Sequence, residues 1–230
     1  IKLLQKEVTK NKADFGIAFD GDGERLIFVD ENAMELNGDD ILYVLARDKF
    51  QNQISLGPKG IVGTTMTNKG LEVALAKMGV DLVRVDVGDR YVLEELTKRE
   101  WLLGGEASGH ILCLDQASTG DAIVAALQVL SACSNLGQSL EELRKCITKY
   151  PQHIVNVPTK GPVKEDALER LSTLVSQAEQ TLGKKGRVVL RASGTEPVVR
   201  VMVEGENAQT VVRLAETLAC EAEKEFSKTV

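Results

Sequence analysis

Asp20, Asp22 and Glu24 alternate with Gly21 and Gly23, and Arg25 follows directly. Carboxylates at alternating positions of a tight glycine-rich turn can converge on one hard cation, and oxygen ligands suit Mg²⁺ or Ca²⁺. The glycines open turn conformations closed to other residues. Without a cation, three close carboxylates repel, and one tends to hold a proton. An EF-hand register would put Asp20, Asp22, Glu24 and Glu31 at loop positions 1, 3, 5 and 12. Arg25 would then stand where that loop needs Gly, and the flanks read as strands, so an EF-hand is excluded. The alternative without a metal is a solvated acidic hairpin turn.

Two further loops carry polar groups in chemically useful sets. GGEASGH, residues 104–110, joins two apolar runs and presents Glu106, Ser108 and His110 on a flexible backbone. A carboxylate and a hydroxyl suit the vicinal hydroxyls of a sugar; the alternative is a polar turn with a surface histidine. RASGTEP, residues 191–197, presents Arg191, Ser193, Gly194 and Thr195, with Arg200 beyond. A guanidinium fork matches phosphate oxygens, and backbone N–H groups in such turns form anion nests. The alternative is an ordinary strand–turn–strand connection.

The elements around these loops follow from apolar spacing. Residues 14–20 and 26–30 are short apolar runs rich in Ile, Phe and Val, read as buried strands flanking the acidic turn. Residues 37–53 read as a helix, 60–67 as a strand, and 68–79 as a helix with Asn68 near its start and Gly79 at its end. Residues 81–87 read as a strand and 89–99 as a helix. A longer helix follows STGD (118–121), and 139–147 open like a capping box from Ser139 to Glu142. Strands alternating with helices predict an α/β class. YPQ, 150–152, breaks the pattern and marks a boundary. Beyond it the order is strand 153–157, helix 164–182, strands 187–192 and 198–204, and helix 207–226. That is an α+β unit of about 80 residues, large enough to fold.

Composition narrows the function classes. There are 34 acidic against 28 basic residues, a net charge of −6, whereas a nucleic-acid surface needs clustered excess Lys and Arg. Aromatics at 4% also argue against stacking platforms for single strands. A small anionic ligand needs only a local basic pocket. None of the four cysteines lies in a C-x-x-C pair, and with two histidines a zinc site is not expected. Reduced thiols in a cytoplasmic protein are the simpler reading. No apolar run approaches the roughly 20 residues that span a bilayer, so no membrane partner is expected.

In order, DGDGER, GEASGH and RASGTEP resemble the α-D-phosphohexomutase superfamily. Its corresponding loops read DGDGDR for Mg²⁺, GE-x-SGH for sugar hydroxyls and R-x-SGTEP for the substrate phosphate. The match spans almost the whole chain. VGTTMTNKGLE, VGDRYVLEEL, TGDAIVAALQVL and RVMVEGE resemble the branch that acts on glucosamine phosphates. The branch acting on mannose and glucose phosphates is the alternative.

The resemblance implies that Asp20, Asp22 and Glu24 hold Mg²⁺ and that Arg25 sits beside the transferring phosphoryl group. It implies that Glu106 and Ser108 bind the sugar with His110 nearby. Arg191, Ser193, Gly194, Thr195 and Arg200 would bind the other phosphate, and Asp89 and Arg90 would lie near the substrate. The reaction implied interconverts glucosamine 6-phosphate and glucosamine 1-phosphate through a phosphoserine and a 1,6-bisphosphate. Glu24 departs from the usual Asp by one methylene.

The family's phosphoserine loop is absent from this sequence, and no Met starts it. The expectation is the C-terminal half of a four-domain enzyme: the end of domain two (1–31), an α/β domain three (32–149) and a smaller α+β C-terminal domain (150–230). Its partners would be a sugar phosphate and the missing N-terminal domains. The chain alone would bind without turning over. The oligomeric state, a homodimer among the options, is not given by the sequence. A rival from another class resembles the haloacid-dehalogenase type, with Asp20 as a nucleophile that takes up phosphate; Gly23 and Glu24 stand where those enzymes carry Thr or Val. A non-catalytic sugar-phosphate-binding module is a second rival.

Overall fold

The acidic turn is the tip of a hairpin. Strand β1 (Phe15–Phe19) pairs antiparallel with β2 (Leu26–Asp30), Phe19 lying opposite Leu26. A two-residue strand β3 (Glu35–Leu36) adds to β2. The computed structural model describes residues 1–51, 60–159, 168–193 and 196–227, and the chain divides into two units, Ile1–Lys149 and Tyr150–Val230. Helix α1 (Lys2–Asn11) packs on the hairpin, where Leu4 and Val8 fill the space beside Gly16.

The rest of the first unit is built on a four-stranded sheet. Its strands are β4 (Gly60–Thr64), β5 (Asp81–Val85), β6 (Leu103–Gly105) and β7 (Ile111–Cys113), in the order β5-β4-β6-β7. β5 and β6 run parallel to β4, and β7 runs antiparallel to β6. Every residue of β4 is buried, as in a central strand covered on both faces. Ile61 joins a core with residues of α2 (Gly38–Gln51), α3 (Lys69–Ala76) and α5 (Ala122–Leu136). Val62 points the other way, to Val92 and Leu96 of α4 (Asp89–Arg99) and to Trp101 and Leu112. Adjacent strand residues thus feed two cores on opposite faces, the period-two rule of a pleated strand. Ile41–Ala46 of α2 are all buried, the mark of a helix enclosed on every side. Each large side chain buried this way contributes roughly 1.5–3 kcal/mol.

The second unit is a three-stranded antiparallel sheet under two helices. β8 (Gln152–Pro158), β9 (Gly186–Ala192) and β10 (Val198–Gly205) lie in the order β8-β10-β9, with α7 (Ser172–Leu182) and α8 (Ala208–Ser227). Val199, Val201 and Val203 of β10 form the core with Val211, Ala215 and Ala222 of α8. Glu204, fully buried, is held by Arg187 at 2.6 Å and Gln152 at 2.9 Å, so its charge is paired rather than stranded.

Several boundaries shift from the sequence reading. The strand expected over 60–67 ends at Thr64, because Thr67 folds back: its Oγ1 accepts the Thr64 N–H at 2.9 Å. The helix expected to reach Gly79 ends at Ala76, and Gly79 (φ 68°) lies in the turn beyond. The strand over 81–87 ends at Val85. The helix over 139–147 is α6 (Leu140–Arg144), with the reciprocal Ser139–Glu142 capping box present. Residues 164–167, at the expected start of α7, and 52–53, at the expected end of α2, lie outside the described residues. Helix α1 has no counterpart in the sequence reading; only Val8 of it is buried, so its apolar spacing was weak.

Candidate functional site

Asp20 organises the acidic turn. Its Oδ1 accepts the N–H groups of Glu24 and Arg25, both at 3.0 Å, and its Oδ2 accepts Arg25 Nε at 2.6 Å. The Arg25 backbone N–H, and then the guanidinium, hold the Asp20 carboxyl well below the usual carboxylate range. The same pairing raises Arg25 above its ordinary value. Asp22 lies in the same turn and its carboxyl acts on that of Asp20; a cation beside two such acids eases their repulsion. Here Arg25 is that cation. Glu24 turns elsewhere: its Oε2 is 3.8 Å from His110 Nδ1.

The three acids therefore do not converge. Among the described residues no group of three or more His, Cys, Asp or Glu side chains is arranged to hold a metal ion. The donor chemistry still fits a hard divalent cation: three carboxylates on one turn, two of them already adjacent.

The loop at 104–110 lies directly against this turn. The Leu26 N–H donates to Gly109 O at 3.1 Å, and Arg25 and His110 pair as a short antiparallel bridge. Gly109 makes the approach possible: its φ is 97°, and a Cβ there would stand 2.0 Å from Leu26 O. Glu106 is fixed from two sides, its Oε1 accepting the Gly88 N–H at 2.8 Å and its Oε2 the Ser108 hydroxyl at 3.1 Å. Gly38 packs so tightly that a Cβ would lie 1.8 Å from Glu106 O. His110 is buried, its ring lying over Gly120. Ala122, at the start of α5, donates its N–H to Gly23 O at 3.0 Å, and the Asp121 side chain caps the same helix.

Thus Asp20, Asp22, Glu24, Arg25, Glu106, Ser108 and His110 share one region of the first unit. Asp20, Arg25 and Ser108 line a common open cleft. Asp89 opens α4 one residue after Gly88. Arg90 is exposed, 3.6 Å from Glu94 and 4.8 Å from the Tyr91 ring centre.

In the second unit, Arg191 on β9 stands directly opposite Arg200 on β10. Like charges in a cross-strand pair are unfavourable by themselves and make a ready seat for an anion. Glu196 offsets part of this, its Oε2 accepting Arg200 Nη2 at 2.8 Å. Arg200 Nε is buried with no hydrogen-bond partner. The Ser193 N–H donates to Val198 O, and its Oγ accepts the Glu196 N–H. Gly194 and Thr195 lie outside the described residues.

The sequence reading did not single out the Gly88 N–H that fixes Glu106, the Gly120 backbone under His110, or the α5 N-terminus held to Gly23. Their only signal was local: VGDRY and STGD are glycine-containing junctions between elements.

Residues 37–150 match the family model described as "Phosphoglucomutase/phosphomannomutase, alpha/beta/alpha domain III", and 154–220 match that for the C-terminal domain. A protein of Aliivibrio fischeri named phosphoglucosamine mutase is 50% identical over 221 residues, 95% of this chain and 49% of that protein. One of Aeromonas hydrophila with the same name is 49% identical over 98% of this chain and 50% of its own length. The chain spans about half the length of the curated relatives it matches. The fold matches the Aspergillus fumigatus N-acetylphosphoglucosamine mutase, solved with GlcNAc-6P and magnesium, at TM-score 0.77 and 18% identity over 96% of this chain and 53% of that one. A Burkholderia thailandensis phosphoglucomutase/phosphomannomutase family protein matches at TM-score 0.75 and 17% identity, over 98% and 49%. The chain belongs to the phosphoglucomutase/phosphomannomutase family and carries its domain III and its C-terminal domain.

Proposed function

We propose that this chain supplies the metal, sugar and phosphate sites of an enzyme that interconverts glucosamine 6-phosphate and glucosamine 1-phosphate. The observation that carries the reading is half-identity, over nearly the whole chain, with proteins named phosphoglucosamine mutase. The abutment of the acidic turn and the Glu106 loop supports it. In this reading residues 1–31 end a preceding domain, 32–149 form domain three, and 150–230 bind phosphate.

Asp20, Asp22 and Glu24 are the residues that would hold Mg²⁺, which offsets charge on a phosphoryl group in transfer. Arg25 supplies a second positive charge at the same turn. Glu106, pinned by Gly88 and Ser108, is pre-oriented to accept hydrogen bonds from sugar hydroxyls, and that orientation lowers the ordering cost of binding. In this reading Asp89 and Arg90, just past Gly88, would lie toward the substrate's amino group and phosphate. Arg191 and Arg200, with Ser193, Gly194 and Thr195, would hold the phosphate that is not transferred. The phosphoryl donor belongs to the N-terminal half of the enzyme, in the cytoplasm.

Calorimetric titration of the chain with glucosamine 6-phosphate and with glucose 6-phosphate, in Mg²⁺, tests the reading. Tighter binding of the amino sugar is expected. Equal binding would assign sugar choice to other domains or to another branch, and no binding of either would overturn the proposal.

A further inference from the structure

We infer that Arg25 is an internal stand-in for the metal ion: it occupies the acidic turn when no cation is bound and is released when one binds. The inference rests on the metal reading of Asp20, Asp22 and Glu24. Three observations lead to it. The Arg25 guanidinium sits on Asp20 Oδ2 at 2.6 Å, the carboxylate that begins the turn. Asp22 lies two residues on in the same turn, so a positive charge held there faces two acids. Glu24, the third donor, rests toward His110 at 3.8 Å instead of completing a three-acid cluster.

A divalent cation held by Asp20 would compete with the guanidinium that now sits on Oδ2, because two positive charges crowded on one carboxylate repel. The Arg25 side chain is more than half exposed (56%), so letting go of Asp20 requires no repacking of the core. Asp20 Oδ1 keeps the two backbone N–H groups of Glu24 and Arg25 in either state, so the turn holds its shape while the guanidinium leaves. The released guanidinium is then free to meet an incoming anion beside the metal. Loading the metal and freeing the arginine become one event.

The test is ¹H–¹⁵N NMR of the full chain through a Mg²⁺ titration, with the Arg25 Nε–H signal assigned by its loss in Arg25→Gln. In metal-free protein that signal is expected downfield and slow to exchange with water. At Mg²⁺ saturation, followed by the backbone amides of 20–24, it should move to the position of a free guanidinium. Arg25→Gln should bind Mg²⁺ about two- to fivefold more tightly, the range released by an exposed ion pair. If the amides of 20–24 saturate and the Arg25 Nε–H does not move, the stand-in is wrong and the metal site survives. If neither moves, the metal reading falls and the stand-in with it.

Discussion

Cys113 and Gly109 show how far single residues are constrained by what surrounds them. Burial pushes the Cys113 thiol up to about 11, while Cys146 and Cys220 are exposed. With a thiol reagent at pH 8, Cys146 and Cys220 should label rapidly and Cys113 only on unfolding; fast labelling of Cys113, read by mass spectrometry, would contradict its burial. The raised value favours the fold below pH 9.0, the ordinary value, and that advantage is lost as pH climbs toward about 11. Cys113→Ala should therefore flatten the decline in stability between those limits. Gly109→Ala puts a methyl group where Leu26 O stands, at a φ of 97°. It should cost about 2–4 kcal/mol, measured as a lower urea midpoint for the first unit. An unchanged midpoint would mean the two loops can part freely.

At the scale of elements, the α5 N-terminus holds the acidic turn of the first unit, and the β9–β10 pair carries the two arginines of the second. Asp121→Ala removes two cap bonds to Ile123 and Val124 and should cost about 1 kcal/mol. Because Ala122 also holds Gly23 O, the Gly23 and Glu24 amide signals should shift as well, whereas a purely local cap would leave them still. Arg191→Gln removes one of the two guanidinium groups that stand opposite each other across β9 and β10. Affinity for inorganic phosphate should fall about 10- to 100-fold, the worth of a charged hydrogen bond; calorimetry would show it. Element identity was largely readable from sequence because apolar periodicity and caps agreed, as at Asn68, Asp121 and Ser139. Ends were less readable, since Thr67 and the turn after Ala76 stop their elements through bonds with no periodic signature. The candidate site residues stood out in the sequence as motifs. That Asp20 is taken by Arg25, and that Gly88 fixes Glu106, depended on three-dimensional approach and left no spacing to read.

For the whole molecule, two units with separate cores predict two unfolding transitions. Mg²⁺ should raise only the transition of Ile1–Lys149 and phosphate only that of Tyr150–Val230, as linkage to the state that binds requires. A single transition raised by both ligands would refute that independence. The chain by itself should show no mutase turnover in a coupled assay; measurable turnover would mean that the phosphoryl donor lies within these 230 residues. The tight glycine contacts have a further consequence for how such a sequence can change. Gly38, Gly109 and Gly120 each face a neighbour at 1.8–2.3 Å from a would-be Cβ, whereas the Glu24 side chain is exposed. In a saturation library selected for function, the reactive-looking acid at 24 should tolerate its shorter homologue, and the three chemically silent glycines should tolerate nothing. The most rigid commitments of this site are then written in its residues without side chains.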